Sequence, residues 1–171
     1  PDQIEVMNSI IKRYPRSRSA IMPLLHYVQS LAGYVTNEGI ELIAQLLQLE
    51  TAEVTAVATF YTQYKRKPVG EYHVGVCTNT LCAVMGGDAI FSALKDHLGV
   101  ENDGVTADGK VSLEHIECNA ACDYAPVVMA NWEFYDNQTV ETAKALVDGA
   151  RAGNPPAPTR GPKKLVTYKE A

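Results

Sequence analysis

The chain has 171 residues, an apolar fraction of 46% and a formal net charge of −5 at pH 7. This length suits one ordinary domain or two small ones, and the apolar fraction is typical of a protein with a packed core. The negative charge argues against a nucleic-acid-binding domain, which needs a basic surface to meet phosphates. No apolar run approaches the roughly 18 residues of a membrane-spanning helix, so we expect no direct membrane insertion.

Residues 1–67 predict an N-terminal helical bundle. Four segments carry apolar residues at intervals of three and four, which is typical of amphipathic helices joined by short connections. These segments are 4–14, 19–35, 37–49 and 51–64. In the second segment, Ser19 is predicted to be the N-cap, Pro23 to lie in the first turn and Gly33 to end the helix.

The pattern changes at Pro68 and Gly70, and a second domain is predicted over residues 68–153. Its elements read as strand, helix, strand, strand, strand and helix, with the last two strands joined by a turn at Asn131. This order resembles the thioredoxin-like α/β arrangement, which makes the whole chain an α+β protein. Residues 154–171 are rich in Pro and Gly and predict an extended tail that runs over a surface or a partner.

The four cysteines of the chain follow the first two predicted strands in pairs, Cys77 with Cys82 and Cys118 with Cys122. In a right-handed strand–helix–strand unit these two strands are parallel, so their carboxyl ends lie at one edge of the sheet. The sequence therefore predicts that four sulfur atoms converge.

Four converging thiolates suit either zinc or an iron–sulfur cluster. The C-x₄-C and C-x₃-C spacings are wider than the usual zinc knuckle, and two separate loops can supply two ligands to each iron of a [2Fe–2S] cluster. A zinc-stapled interaction module stays an alternative. Isolated buried thiols, a dithiol redox enzyme and two structural disulfides are less favoured by this pairing and spacing.

The residues around the cysteines suit a cage for an anionic cluster. Side chains of Thr78, Asn79 and Thr80 can donate hydrogen bonds to sulfur, and Gly86 and Gly87 allow the backbone to approach closely. The small residues 119–121 let the second loop close on a metal, while Asp123 is interpreted as a loop residue. No P-loop, G-x-G-x-x-G motif or Ser–His–Asp order is present, so no nucleotide site or catalytic residue is predicted.

The stretches VCTNTLC and ECNAACDYAPVVMAN, 35 residues apart, resemble the thioredoxin-like [2Fe–2S] subunit family of respiratory NADH:quinone oxidoreductase, complex I. The similarity includes SAIMPLLHYVQSLAGYV and VTAVATFYTQYKRKPVGEYHVGVC and covers residues 19–153. It implies that a [2Fe–2S] cluster is held by four ligands: Cys77, Cys82, Cys118 and Cys122.

The resemblance also implies a setting for the chain. It would be an electron carrier with no complete active site of its own, beside the subunit that binds FMN and NADH. Together with the iron–sulfur peripheral arm of a proton-translocating complex, it would lie on the cytoplasmic side of the bacterial inner membrane. The equivalent subunit of an NAD-linked formate dehydrogenase or hydrogenase is the alternative, and in either case the helical bundle is expected to dock against the flavoprotein.

Two details of the second cysteine loop follow from the same resemblance. Many members of the family carry a glycine where this chain has Ala120 or Ala121, a change expected to alter the loop geometry or the reduction potential. Thioredoxin-like folds often hold a cis proline just before the third strand, which predicts a cis peptide bond at Pro126.

Overall fold

The structure is a computed structural model that describes residues 2–171, and the chain divides between Pro68 and Val69 into two compact units. Within the described residues, every helix is too short or too polar to cross a membrane.

The first unit contains the predicted bundle. Its helices are α1 (Gln3–Ile11), α2 (Ile21–Ala32), α3 (Asn37–Leu47) and α4 (Thr51–Phe60), with a 3₁₀ turn at Ser17–Ala20. Apolar side chains of all four helices form one core, which includes Met7, Leu24, Leu25, Ile43 and Val54. Each helix buries a single apolar face, and this is why the apolar periodicity of the sequence predicted the helices correctly.

The start of α2 differs from the prediction. Ser19 lies inside the 3₁₀ turn and is not the N-cap; Ala20 precedes the helix, and no side chain caps it. The backbone of the turn takes over this role, since the N–H of Ile21 donates to the carbonyl of Arg18. Pro23 does lie in the first turn, and Gly33 ends the helix in the left-handed conformation at φ 84°.

The second unit is a five-stranded sheet with helices, and it confirms the predicted α/β order with two additions. Its elements are β1 (Tyr72–Cys77), α5 (Thr80–Val84), α6 (Gly87–Leu98), β2 (Gly104–Val105), β3 (Val111–Ile116), β4 (Val128–Ala130), β5 (Glu133–Tyr135) and α7 (Val140–Arg151). The strand order is β2-β3-β1-β4-β5; β1 and β3 are parallel and the other pairs antiparallel. The additions are α5 and the two-residue strand β2, both too short to show a periodicity.

One face of the sheet packs against α6 and α7. Alternate residues of β1 point to this face, where Val74 and Val76 join Leu113 of β3, Leu94 of α6 and Leu146 of α7 in a single core. The main core of the unit thus holds β1 and β3 against the helices and fixes the edge at which both strands end.

The C-terminal tail crosses the surface of this same unit. The N–H of Tyr168 donates to the carbonyl of Glu71 at 2.8 Å, and both Leu165 and Tyr168 are buried. Residues 154–171 therefore pack as part of the second unit.

Asn131, at the turn between β4 and β5, ties three segments of this unit together. Its side chain accepts a hydrogen bond from the N–H of His73 at 2.7 Å and donates to the carbonyls of Val166 at 2.8 Å and Glu71 at 3.3 Å. The residue is buried and has a left-handed backbone at φ 45°.

We predict that Asn131→Ala lowers the free energy of unfolding by about 3 kcal/mol, because it leaves buried backbone groups unpaired and places alanine at positive φ. The matched control is Asn137→Ala, at an exposed residue with φ 50°, which should cost about 1 kcal/mol from the backbone alone. Urea titration of both variants measures the difference. Equal losses would show that the side-chain bonds of Asn131 contribute nothing.

Candidate metal centre

The first cysteine pair lies at the end of β1. Cys77 is the last residue of the strand, and Cys82 lies within α5; both are buried, with 2% and 3% of their surface exposed. Val127, just before β4, joins them: its carbonyl accepts from the N–H of Cys77 at 3.1 Å, and its own N–H donates to the sulfur of Cys82. The pair is thus fixed by a neighbouring segment of the sheet.

The N-terminus of α6 packs directly on this first loop. A Cβ atom at Gly87 would lie 2.5 Å from the carbonyl oxygen of Cys77 and 2.8 Å from that of Cys82, so only glycine fits. Gly86, also predicted to allow close approach, has open space around it; it serves instead a left-handed turn at φ 110°.

The second cysteine pair lies in the loop after β3. The strand ends at Ile116, two residues before Cys118, and Cys122 opens a 3₁₀ turn, Cys122–Tyr124. Between the cysteines, Ala120 has φ 53°, and its N–H donates to the sulfur of Cys118 at 3.3 Å. Ala120 therefore occupies the left-handed position that favours glycine.

The two loops bring the four thiols together as two interacting pairs. Cys77 is hydrogen-bonded to Cys82, Cys118 is hydrogen-bonded to Cys122, and Cys122 is close enough to the first pair for their charges to interact. All four thiols are free. The predicted convergence is therefore present, whereas the assignment of the four sulfurs as metal ligands stays a prediction.

The environment raises the pKa values of two of the thiols, those of Cys82 and Cys122. Burial raises the pKa of the Cys82 thiol to about 11, with a further contribution from the neighbouring thiols and an opposing one from the N–H of Val127. The hydrogen bond to Cys118 is the main cause that raises the pKa of Cys122. Placing four thiolates together is costly without a cation, which is the situation a metal centre resolves.

A [2Fe–2S] cluster fits the groups that the structure places here. The sulfurs form two pairs from two loops, which suits a cluster in which each of two irons takes two ligands. Asn119 adds a buried side-chain N–H group without a hydrogen-bond partner, in the loop between two of the cysteines. Sulfur atoms of a cluster are acceptors for such donors.

Other predicted neighbours have different roles. Asn79 donates to the carboxylate of Glu117 at 3.1 Å and so links the two cysteine loops, where a bond to sulfur was expected. Asp123 is exposed, as expected of a loop residue. The peptide bond before Pro126 is cis, which confirms that prediction.

Sequence reasoning missed Val127 as a member of this site; it included Asn119 only as a small residue of the loop and missed its buried amide as a hydrogen-bond donor. The signal for Val127 was the Pro126 that precedes it, since this proline marks the segment beside the cysteine loops. No signal identified the amide of Asn119, because its burial depends on how the loop folds.

Comparison with known proteins agrees with this geometry. The sequence model of thioredoxin-like [2Fe-2S] ferredoxins matches residues 7–151. An NADH-quinone oxidoreductase subunit of Mycobacterium tuberculosis is 66% identical over 152 residues, which cover 89% of this chain and 60% of the relative. The corresponding NADH-quinone oxidoreductase subunit of Rickettsia bellii is 41% identical over 151 residues, which cover 86% of this chain and 90% of the relative.

A solved structure shares the fold at lower identity. A chain of the NAD⁺-reducing [NiFe]-hydrogenase in the air-oxidized state matches with a TM-score of 0.67 and 20% identity, over 79% of this chain and 23% of that chain. This chain spans about 60% of the length of the mycobacterial relatives. The sequence match over residues 7–151, on a sheet that carries two cysteine pairs at one edge, shows that the chain belongs to the thioredoxin-like [2Fe-2S] ferredoxin family.

Proposed function

We propose that this chain is the electron-transfer subunit of an NADH:quinone oxidoreductase and holds a [2Fe–2S] cluster. The ligands are Cys77, Cys82, Cys118 and Cys122. The observation that carries the proposal is the meeting of four free thiols, as two pairs from two loops, at one edge of the sheet. The relatives at 66% and 41% identity are both named as the same NADH-quinone oxidoreductase subunit, which supports this enzyme over a related NAD-linked complex.

The residues at the site have different roles. A bound cluster supplies a centre that takes up and releases one electron. Cys77 and Cys82 are buried and would hold the cluster on the side that excludes water, whereas Cys118 and Cys122 are exposed and would hold it on the side that faces solvent. The N–H groups of Val127 and Ala120 donate to cysteine sulfurs and stabilise their negative charge.

Exposed apolar side chains close in sequence to the cysteines form a rim that suits contact with a redox partner. The rim consists of Leu81, Val84 and Met85, all within three residues of Cys82, and of Tyr124, two residues after Cys122. Electron transfer requires that two centres come close, and an apolar surface beside a centre favours such an approach. We propose that this rim meets the FMN- and NADH-binding subunit, in the peripheral arm on the cytoplasmic side of the bacterial inner membrane.

We propose that the helical unit also binds the flavoprotein subunit. Phe60, at the end of α4, is 76% exposed and offers an aromatic anchor. Deletion of residues 1–65 should then abolish binding to the flavoprotein while the cluster is retained. Retained assembly after the deletion would refute this role.

We predict that replacing any one of the four cysteines with serine lowers the iron content from about two atoms per chain to fewer than about one, because each iron needs two thiolates. The visible absorbance of the cluster should fall in parallel. Asp123→Ser is the matched control, since it changes an exposed residue next to Cys122 and should keep the full iron content. A cysteine variant with unchanged iron and absorbance would remove that residue from the ligand set.

A second prediction separates an electron carrier from a complete enzyme. The loaded chain should be reduced by dithionite but not by NADH alone, because electrons from NADH must pass through the flavin of the partner. Addition of the flavoprotein subunit should then allow NADH to reduce the cluster, which visible absorbance follows. Reduction by NADH without the partner would contradict the proposed function and reveal a nucleotide site on this chain.

A further inference from the structure

The C-terminal tail is attached to the edge of the sheet next to the cysteine site. Residues 152–171 lie beyond the part of the chain that matches the family, so the family gives the tail no role. Thr159 is bound to β5 and the residue after it: its N–H donates to the carbonyl of Phe134 at 2.9 Å, and its hydroxyl accepts from the N–H of Asp136 at 3.0 Å. These bonds fix the position of the next residue, Arg160.

Arg160 contacts three side chains at once. Its guanidinium donates to a carboxylate oxygen of Asp136 at 2.8 Å, and that side chain is only 9% exposed. The guanidinium carbon also lies 4.4 Å from the ring centroid of Phe134 and 5.1 Å from that of Tyr124. Both distances are within the roughly 6 Å of a cation–π contact.

The two rings connect Arg160 to both cysteine pairs. Tyr124 is the last residue of the 3₁₀ turn that begins at Cys122. Phe134 packs against the buried group that contains Cys77 and Cys82. Arg160 thus joins the exposed second loop to the buried first one through aromatic contacts.

The second loop needs such a contact more than a loop with glycine at its turn would. Ala120 adopts φ 53°, a conformation that costs an alanine about 1–2 kcal/mol. Of residues 118–124 only Ala121 is buried, and Cys118, Cys122 and Tyr124 are all exposed, so packing within the loop offsets little of this cost. A contact from outside the loop is therefore important for its conformation.

We propose that Arg160 is a positioning residue that holds residues 118–124 in the conformation that presents Cys118 and Cys122 to the cluster. It acts through Tyr124 and Phe134, and its fixed positive charge favours the more negative, reduced state of the centre. The effect on the cluster rests on the proposed function, whereas the effect on the loop does not.

The test compares Arg160→Met, Arg160→Lys and the matched control Arg151→Met in the full chain. Arg151 is 42% exposed and Arg160 40%, and each forms an ion pair at 2.8 Å, Arg151 with Asp108. In the cluster-free chain, hydrogen exchange of residues 118–124 should be about fivefold faster in Arg160→Met, the factor expected from two lost cation–π contacts. Arg160→Lys should show a smaller increase and Arg151→Met none.

The same variants are then loaded with iron and sulfide. Arg160→Met should release iron to a chelator about fivefold faster and have a lower reduction potential, while Arg160→Lys, which keeps the charge, restores most of the potential. Equal exchange of residues 118–124 in Arg160→Met and Arg151→Met would overturn the proposal. If the wild-type chain binds no iron and sulfide, the proposed function fails, and the exchange measurement still decides the positioning role.

Discussion

The parallel pairing of β1 with β3 determines where the four cysteines meet. The two strands pair in register from Tyr72 opposite Val111 to Cys77 opposite Ile116. Both strands therefore end at the same level of the sheet. Parallel strands joined through a helix, as β1 and β3 are through α6, ordinarily form a right-handed unit whose strands end at the same edge. Each loop then needs only a few residues to bring its two thiols beside those of the other loop.

The surroundings of the two cysteine loops differ, and this difference gives the site one buried side and one exposed side. The first loop is held by Val127 and by the close packing of Gly87, so its cysteines are buried. The second loop lies at the surface, where the Asn79–Glu117 bond links it to the first loop and Arg160 of the tail contacts it at Tyr124. A buried, closely packed side with an accessible opposite side suits a centre that must keep its metal and still exchange electrons with a partner.

Under the proposed role of Arg160, a distant part of the chain offsets the backbone cost of the alanine at position 120. Glycine would adopt φ 53° without cost, whereas alanine does not. The proposed contribution of Arg160 to the loop would offset part of that cost. A segment outside the match to the family would in this way support the part that carries the chemistry.

The sequence was sufficient for the helices of the first unit, for β1 and β3 and for the convergence of the cysteines, since these depend on local periodicity and on the handedness of one connection. It was insufficient where the outcome depends on contacts between distant residues. The 3₁₀ turn replaced the predicted cap at Ser19, Asn79 bonded to Glu117 instead of sulfur, and the packing of Tyr168 and Arg160 on the sheet had no pattern in the sequence. Such contacts are visible only once the chain has folded.

The content of iron, zinc and acid-labile sulfide per chain, measured on anaerobically purified protein, tests the central claim most directly. The account predicts about two irons and two sulfides per chain, the composition of one [2Fe–2S] cluster. About one zinc per chain without sulfide would contradict it, because the four cysteines would then form a structural zinc site and the chain could not carry electrons.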